Sequence, residues 1–340
     1  MKKTYIIIII CLCALCFGMI FYTTLSSKKD AVTQDGDQKS VTLTDQTGRK
    51  VVIEKPVKRI ISGYYVSTSA LLALGLQDKI VAIETKSQSG KRALYGLCAK
   101  RLWSLPVMGT SKNFDVEKCI ALKPDLVILP QRLSTFVPPL EKLGIKVLLV
   151  RPENFDECQE MIDLIARATG TENRAEKFRT FAKKQKDFLA TLPKNGKQVY
   201  VTAVPSVIVT FGRNMSQSNM VALAGGKNVA DEISDLLWVH ISYEQLLAWN
   251  PEVIVIAADA RFNEQDVLND KHLVNCRAVK TGQVFKMPNY IEAWDTPIPA
   301  GILGSLWLAS KLYPDKVSSE YFEKTVRQYY KEFYGFEYEK

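Results

Sequence analysis

The chain has 340 residues, 47% of them hydrophobic, and its 45 basic and 36 acidic side chains leave a net charge of +9. That length and apolar share exclude a disordered chain and allow two domains of about 150 residues each behind a leader. The positive balance favours an anionic ligand or an acidic surface. Lysines and arginines are spread along the chain without a stripe, which argues against nucleic-acid binding.

In chain order, Lys2 and Lys3 precede an uncharged, mostly apolar run over residues 5–25. A basic start followed by an apolar stretch is an export signal, and this one is also long enough to span a bilayer as a helix. Residues 1–26 are therefore a signal peptide cleaved near Thr24-Leu25-Ser26, or an anchor kept with its lysines on the cytoplasmic side. Lipid attachment at Cys13 or Cys16 is disfavoured by the leucines before them. Each outcome places the remainder outside the cytoplasm, in the periplasm or on the outer face of the membrane. Residues 27–40 are polar and read as a flexible tether.

The first half then alternates strands and helices. A hairpin is expected over 41–43 and 50–53, and strands over 59–62, 80–83, 125–129 and 146–150. Helices are expected over 69–74, 116–122 and 137–143, the first and last ended by Gly75 and Gly144. Short continuous apolar runs such as Leu126-Val127-Ile128-Leu129 are the mark of a parallel sheet covered on both faces. Two longer helices follow over 154–168 and 173–192, parted by Gly170. A helix of ~20 residues is about 30 Å long, enough to run from one domain to another.

The second half repeats the rhythm. Strands are expected over 199–203, 208–211, 252–257 and 283–287, and helices over 220–224, 243–248, 302–312 and 317–333. One pattern occurs in both halves: Glu117, a short apolar helix, Pro124, Asp125 and a strand, then Glu244, a short apolar helix, Pro251, Glu252 and a strand. Repetition at matching places points to two related lobes. The fold class is thus α/β, with two Rossmann-like lobes joined by one long helix and a ligand cleft between them. The divisions are 41–170, 171–193 for the connecting helix, and 194–340.

Catalytic chemistry finds little support. His240 and His272 are the only histidines, too few for a zinc centre of three imidazoles. There is no G-x-S-x-G elbow, no glycine-rich phosphate loop and no H-E-x-x-H. No C-x-x-C pair occurs among the seven cysteines, and no disulfide can be assigned from their spacing. The chain is read as a binding protein, not an enzyme, with no resident cofactor.

Several segments carry a family resemblance: Asp45-Gln46-Thr47-Gly48-Arg49, Pro56-Val57-Lys58-Arg59-Ile60, Ala73-Leu74-Gly75, Leu122-Lys123-Pro124-Asp125-Leu126-Val127, Ala224-Gly225-Gly226-Lys227-Asn228 and Ala278-Val279-Lys280-Thr281-Gly282-Gln283-Val284-Phe285. In this order, over about residues 41–330, they resemble the solute-binding proteins of iron-siderophore, haem and vitamin B12 importers. A tryptophan that often precedes the Ala-Val-Lys segment is replaced here by Asn275-Cys276-Arg277.

The resemblance implies an extracytoplasmic subunit that is a monomer when free. It would deliver an iron complex, a ferric siderophore or haem, to an ABC permease dimer with its ATPase subunits. Cobalamin or a metal oxyanion is the alternative cargo. An extracytoplasmic enzyme or sensor on the same fold is the reading from another class. The resemblance also implies that Glu117 and Glu244 dock onto permease arginines. Ligand residues should lie on loops after the strands: Tyr64 and Tyr65 as hard oxygen donors, Arg132 and Arg213 as anion clamps, and Trp238 and His240 before the Glu244 helix. Tyr290, Trp294 and Asp295 follow the final strand, their aromatic rings suited to a flat ligand.

Overall fold

A computed structural model describes residues 39–339 except 90–92, 195 and 234–237. The expected export segment, most of the tether and Cys11, Cys13 and Cys16 lie outside these residues. Among the described residues no helix is long and apolar enough to cross a membrane.

The opening hairpin pairs Ser40–Thr44 with Lys50–Glu54. The first four-stranded sheet has the order Ile80–Ile83, Ile60–Ser62, Leu126–Pro130, Val147–Val150, all parallel. The second has the order Gly226–Asn228, Lys197–Val201, Val253–Ile256, Val284–Lys286, again all parallel. In both sheets the lobe's first strand lies between its second and third, with the fourth outermost beyond the third. The expected relation between the halves is therefore present as topology. The apolar runs behave as parallel strands should: every residue of Leu126–Pro130 and of Val253–Ile256 is buried.

The repeated motif has a local reason. Lys123 and Asn250 adopt the left-handed conformation, with φ 44° and 46°, and each turns the end of a short helix into the strand behind the following proline. The acid after each proline then fastens the start of the neighbouring strand. Asp125 accepts from the backbone N–H of Lys58 and of Arg59 at 2.8 Å each. Glu252 accepts from Gln198 N–H at 3.0 Å.

Helix Phe155–Thr169 ends at Gly170 with φ 72°, and helix Glu172–Ala190 follows, between the last strand of the first sheet and the first strand of the second. The latter buries Ala175, Phe178, Phe181 and Leu189. Phe178 and Phe181 meet Phe333 of the C-terminal helix Ser319–Tyr334, edge-on, with ring centroids 5.5 and 5.6 Å apart. Arg174 ties the same corner by donating to the carbonyls of Ala73 and Phe333. The C-terminal helix thus packs back toward the first lobe, so the span 194–340 is not confined to the second.

Several short elements were not legible from periodicity: helices Thr85–Ser89 and Ala93–Cys98, the small hairpin Gly109–Thr110/Asn113–Phe114, and strand Gly226–Asn228. The first lobe's helix starts earlier than expected, at Tyr65 rather than residue 69. Cys98, Cys119, Cys158 and Cys276 are free thiols.

Candidate functional site

Where strand order reverses in an open parallel sheet, the carboxyl ends of two adjacent strands splay and leave a crevice. In the first lobe this point lies between Ile60–Ser62 and Leu126–Pro130. Tyr64 and Tyr65 follow the one strand and Arg132 follows the other.

Tyr64 lies on the bend after its strand, as expected, but Tyr65 does not lie on a loop. Tyr64 is the N-cap and Tyr65 the first residue of helix Tyr65–Ala73. Hydroxyls fix this turn: Ser62 and Ser67 donate to the Tyr64 carbonyl at 3.0 and 2.8 Å. Thr68 donates to Ser62 Oγ at 2.8 Å. The rings of Tyr64 and Tyr65 meet edge-on, with centroids 5.1 Å apart.

Cations lie over both rings. The Arg132 guanidinium sits 4.7 Å from the Tyr64 centroid and donates through Nε to the Ser111 carbonyl at 3.0 Å. The Lys86 ammonium sits 4.3 Å from the Tyr65 centroid. Burial pushes the Tyr64 phenol up to about 12, and Arg132 opposes that shift. The Tyr64 side chain is therefore a protonated phenol, able to donate a hydrogen bond.

Trp238 of the second lobe lines the same cavity as Tyr64, Tyr65, Lys86 and Arg132, an opening of about 590 Å³. That is within the ordinary range of small-molecule sites, about 300–1,000 Å³. Trp238 is not on a loop: it opens strand Trp238–His240, which pairs antiparallel with Val209–Phe211. The residue is 47% exposed, and its ring rests edge-on against Phe211 at 5.8 Å.

The other expected ligand residues separate. His240 is exposed on the same strand but is not among the residues lining the Trp238 cavity. Tyr290 is 63% exposed and borders a second cavity of about 620 Å³ with Ala258, Asp259 and Asn289. Arg213 borders a third, of about 630 Å³, with Arg151, Asn154 and Asp231.

Trp294 is no stacking platform. It is 3% exposed, donates to Tyr330 Oη at 2.9 Å and packs edge-on against Phe322. Asp295 is buried as well. Its carboxylate accepts from Ala258 N–H at 3.0 Å, and its carbonyl accepts from Ser216 Oγ and Gln217 Nε2. Asp295 thus holds the turn at the end of strand Val253–Ile256. Burial pushes its carboxyl up to about 6.

Sequence reasoning missed Lys86 and Asp259. They form a contact across the cleft, with Lys86 Nζ 3.8 Å from Asp259 Oδ2. Nothing in the local pattern of either segment marks the other as its partner.

Glu117 and Glu244 are both exposed and occupy the same place, the second residue of helices Val116–Ala121 and Tyr243–Trp249. Asp115 and Ser242 cap these helices, accepting from Lys118 N–H and Gln245 N–H. A negative charge is favoured there by the helix dipole, and a side-chain hydrogen bond with Ser242 holds the Glu244 carboxyl below the usual range.

The model of the periplasmic binding protein family matches residues 60–291. The chain belongs to that family. This binding protein is similar to the molybdate-binding protein MolA of Haemophilus influenzae, 27% identical over 319 residues, 86% of this chain and 90% of that protein. It is also similar to the ABC transporter substrate-binding lipoprotein YvrC of Bacillus subtilis, 28% identical over 81% of this chain and 86% of that one. A vitamin B12-binding protein of Yersinia pestis is 28% identical over 59% of this chain and 69% of its own length. The solved structure of MolA bound to molybdate superposes with a TM-score of 0.77 at 25% identity, covering 88% of this chain and 99% of that one. A periplasmic solute-binding protein of Veillonella parvula has the same fold, with a TM-score of 0.77 at 24% identity over 88% and 94% of the two chains. The binding protein is accordingly a substrate-binding subunit of an ABC transporter.

Proposed function

We propose that this binding protein captures a bulky anionic metal chelate outside the cytoplasm, an iron complex such as a ferric siderophore or haem, and passes it to its permease. The observation that carries this reading is the pair of cations, Arg132 and Lys86, stacked on Tyr64 and Tyr65 at the strand-order reversal and faced by Trp238. Each ring face holds its cation in place and shields one side of it from water, which leaves the other side for an anion. The rings and Trp238 offer a flat apolar ligand its contact area. The Trp238 cavity alone, about 590 Å³, is larger than a bare tetrahedral oxyanion fills. Export by residues 1–26 and docking through Glu117 and Glu244 belong to the same reading.

A second reading, capture of a metal oxyanion, is favoured by the likeness to the molybdate-binding protein along most of both chains. The test is titration of the protein, isolated from the cell envelope, with ferric chelates, haem, cobalamin and molybdate, followed by absorption spectra and calorimetry. A charge-transfer or Soret band with a dissociation constant below ~10 μM, about −7 kcal/mol, supports the chelate. Tight binding of molybdate alone supports the oxyanion, and a corrin spectrum alone moves the assignment to cobalamin.

A further inference from the structure

Lys86 and Asp259 stand at the seam between the lobes, and each is fixed by its own side of the cleft. On the first lobe, the buried Glu84 carboxylate accepts from the backbone N–H of Lys86 and of Ser87, the latter at 2.8 Å. It thereby caps the first turn of helix Thr85–Ser89. The Tyr65 ring lies beneath the ammonium. On the second lobe, Asn289 Nδ2 donates to Asp259 Oδ1 at 2.8 Å, which leaves Oδ2 directed at Lys86 Nζ 3.8 Å away. Lys86 lines the Trp238 cavity and Asp259 lines the Tyr290 cavity. The contact therefore lies where the two openings adjoin, as a partition between them. Both side chains are part-exposed, 53% and 39%, so their mutual attraction is weak, about 1 kcal/mol or less. A ligand anion can displace an attraction of that size.

We propose that Asp259 is a resident counter-anion for Lys86, exchanged for a negatively charged group of the ligand on binding. This rests on the anionic-ligand reading and adds a selection rule to it. In the free protein the carboxylate neutralises the ammonium and bridges the lobes. An anionic ligand takes the ammonium from Asp259, the partition opens, and the two cavities become one. A neutral or weakly charged ligand of the same shape gains nothing from the exchange and binds at a cost of up to about 1 kcal/mol, about fivefold, for parting the pair. Asp259 thus biases the cleft toward charged ligands, and Lys86 is the residue that reads the charge.

The test uses Asp259→Asn, Lys86→Met and the double variant, purified from the cell envelope. Acylation of Lys86 by an N-hydroxysuccinimide acetate, read by peptide mass spectrometry on the ligand-free protein, comes first. Loss of the carboxylate partner makes Lys86 in Asp259→Asn react about two- to fivefold faster than in wild type. Equal rates mean that the pair does not exist in solution and overturn the proposal. Titration with iron(III) citrate and with molybdate follows. Asp259→Asn binds an anionic probe about two- to fivefold more tightly than wild type, Lys86→Met binds it more weakly, and the gain from Asp259→Asn disappears in the Lys86→Met background. A gain of the same size in that background means plain repulsion by Asp259 and overturns the exchange. A probe that binds wild type without any gain in Asp259→Asn overturns the exchange alone. If no probe binds any of the proteins, the capture reading itself fails and the exchange with it.

Discussion

Gly304 lies inside helix Gly301–Leu312, against the backbone of the segment that carries Trp294 and Asp295. A Cβ built there would run into the Trp294 carbonyl oxygen, with the carbonyl carbon at 3.0 Å and Met220 Sδ at 3.2 Å. In Gly304→Ala the helix and the Trp294 segment must therefore part. Overpacking typically costs about 1–3 kcal/mol, and a backbone obstacle, which has no rotamer to yield, places this site near ~3. Alanine recovers about 1 kcal/mol over glycine in a helix interior. The net expectation is a loss of roughly 2 kcal/mol, a fall in melting temperature of roughly 3 °C for a folded chain of this size. Gly301→Ala is the control. Its Cβ would stand 3.0 Å from the Thr296 carbonyl oxygen, at the first turn of the helix, and it should cost less than half as much. Because Asp295 holds the Ala258 turn through its carboxylate, Gly304→Ala should also weaken ligand binding several-fold. Urea unfolding of the two variants, with calorimetric titration, decides the matter. A Gly304→Ala protein within ~0.5 kcal/mol of wild type, or no less stable than Gly301→Ala, refutes the close-approach argument.

Other expectations follow from the same geometry. Arg132→Ala should weaken binding of an anionic chelate by about 10- to 100-fold, the range for a lost charge-assisted hydrogen bond, and an unchanged dissociation constant in calorimetry counts against its clamp role. The double variant Glu117→Ala/Glu244→Ala should bind ligand as wild type does yet abolish uptake in a transport assay. Impaired ligand binding in that variant would remove the docking assignment. Asp295, raised from 3.8 to about 6, holds in the native state a proton that the unfolded chain releases. Its contribution is therefore full below about pH 4 and is lost as pH rises to about 6. The stability of wild type relative to Asp295→Asn should fall across that window, by up to about 3 kcal/mol. A constant difference in urea unfolding from pH 4 to pH 7 would mean that Asp295 does not titrate in this way.

What the sequence by itself determined is what local physics controls. Leu126-Val127-Ile128-Leu129 and Val253-Ile254-Val255-Ile256 are apolar on both faces, so only a covered parallel sheet accommodates them. The Glu–helix–Pro–acid repeat marked two equivalent helix starts, and with them Glu117 and Glu244. The alternation of charged and aromatic residues over 172–190 produced the long helix between the sheets. Tyr64 and Arg132 could be named because the residues after two buried strands are the natural lining of a cleft.

Tertiary structure decided the rest. Tyr290 and Trp294 share one short segment and one aromatic character, yet Tyr290 faces solvent while Trp294 is buried with its N–H on Tyr330. The difference comes from a remote helix that closes on Trp294 through Gly304. Trp238 entered a strand because Val209–Phe211 runs alongside, with Phe211 opposite Trp238, a pairing that its own neighbours do not encode. Lys86 and Asp259 meet only because the two lobes bring their strand ends together. Periodicity reports which face of an element is apolar; it carries no information about which distant element that face will meet.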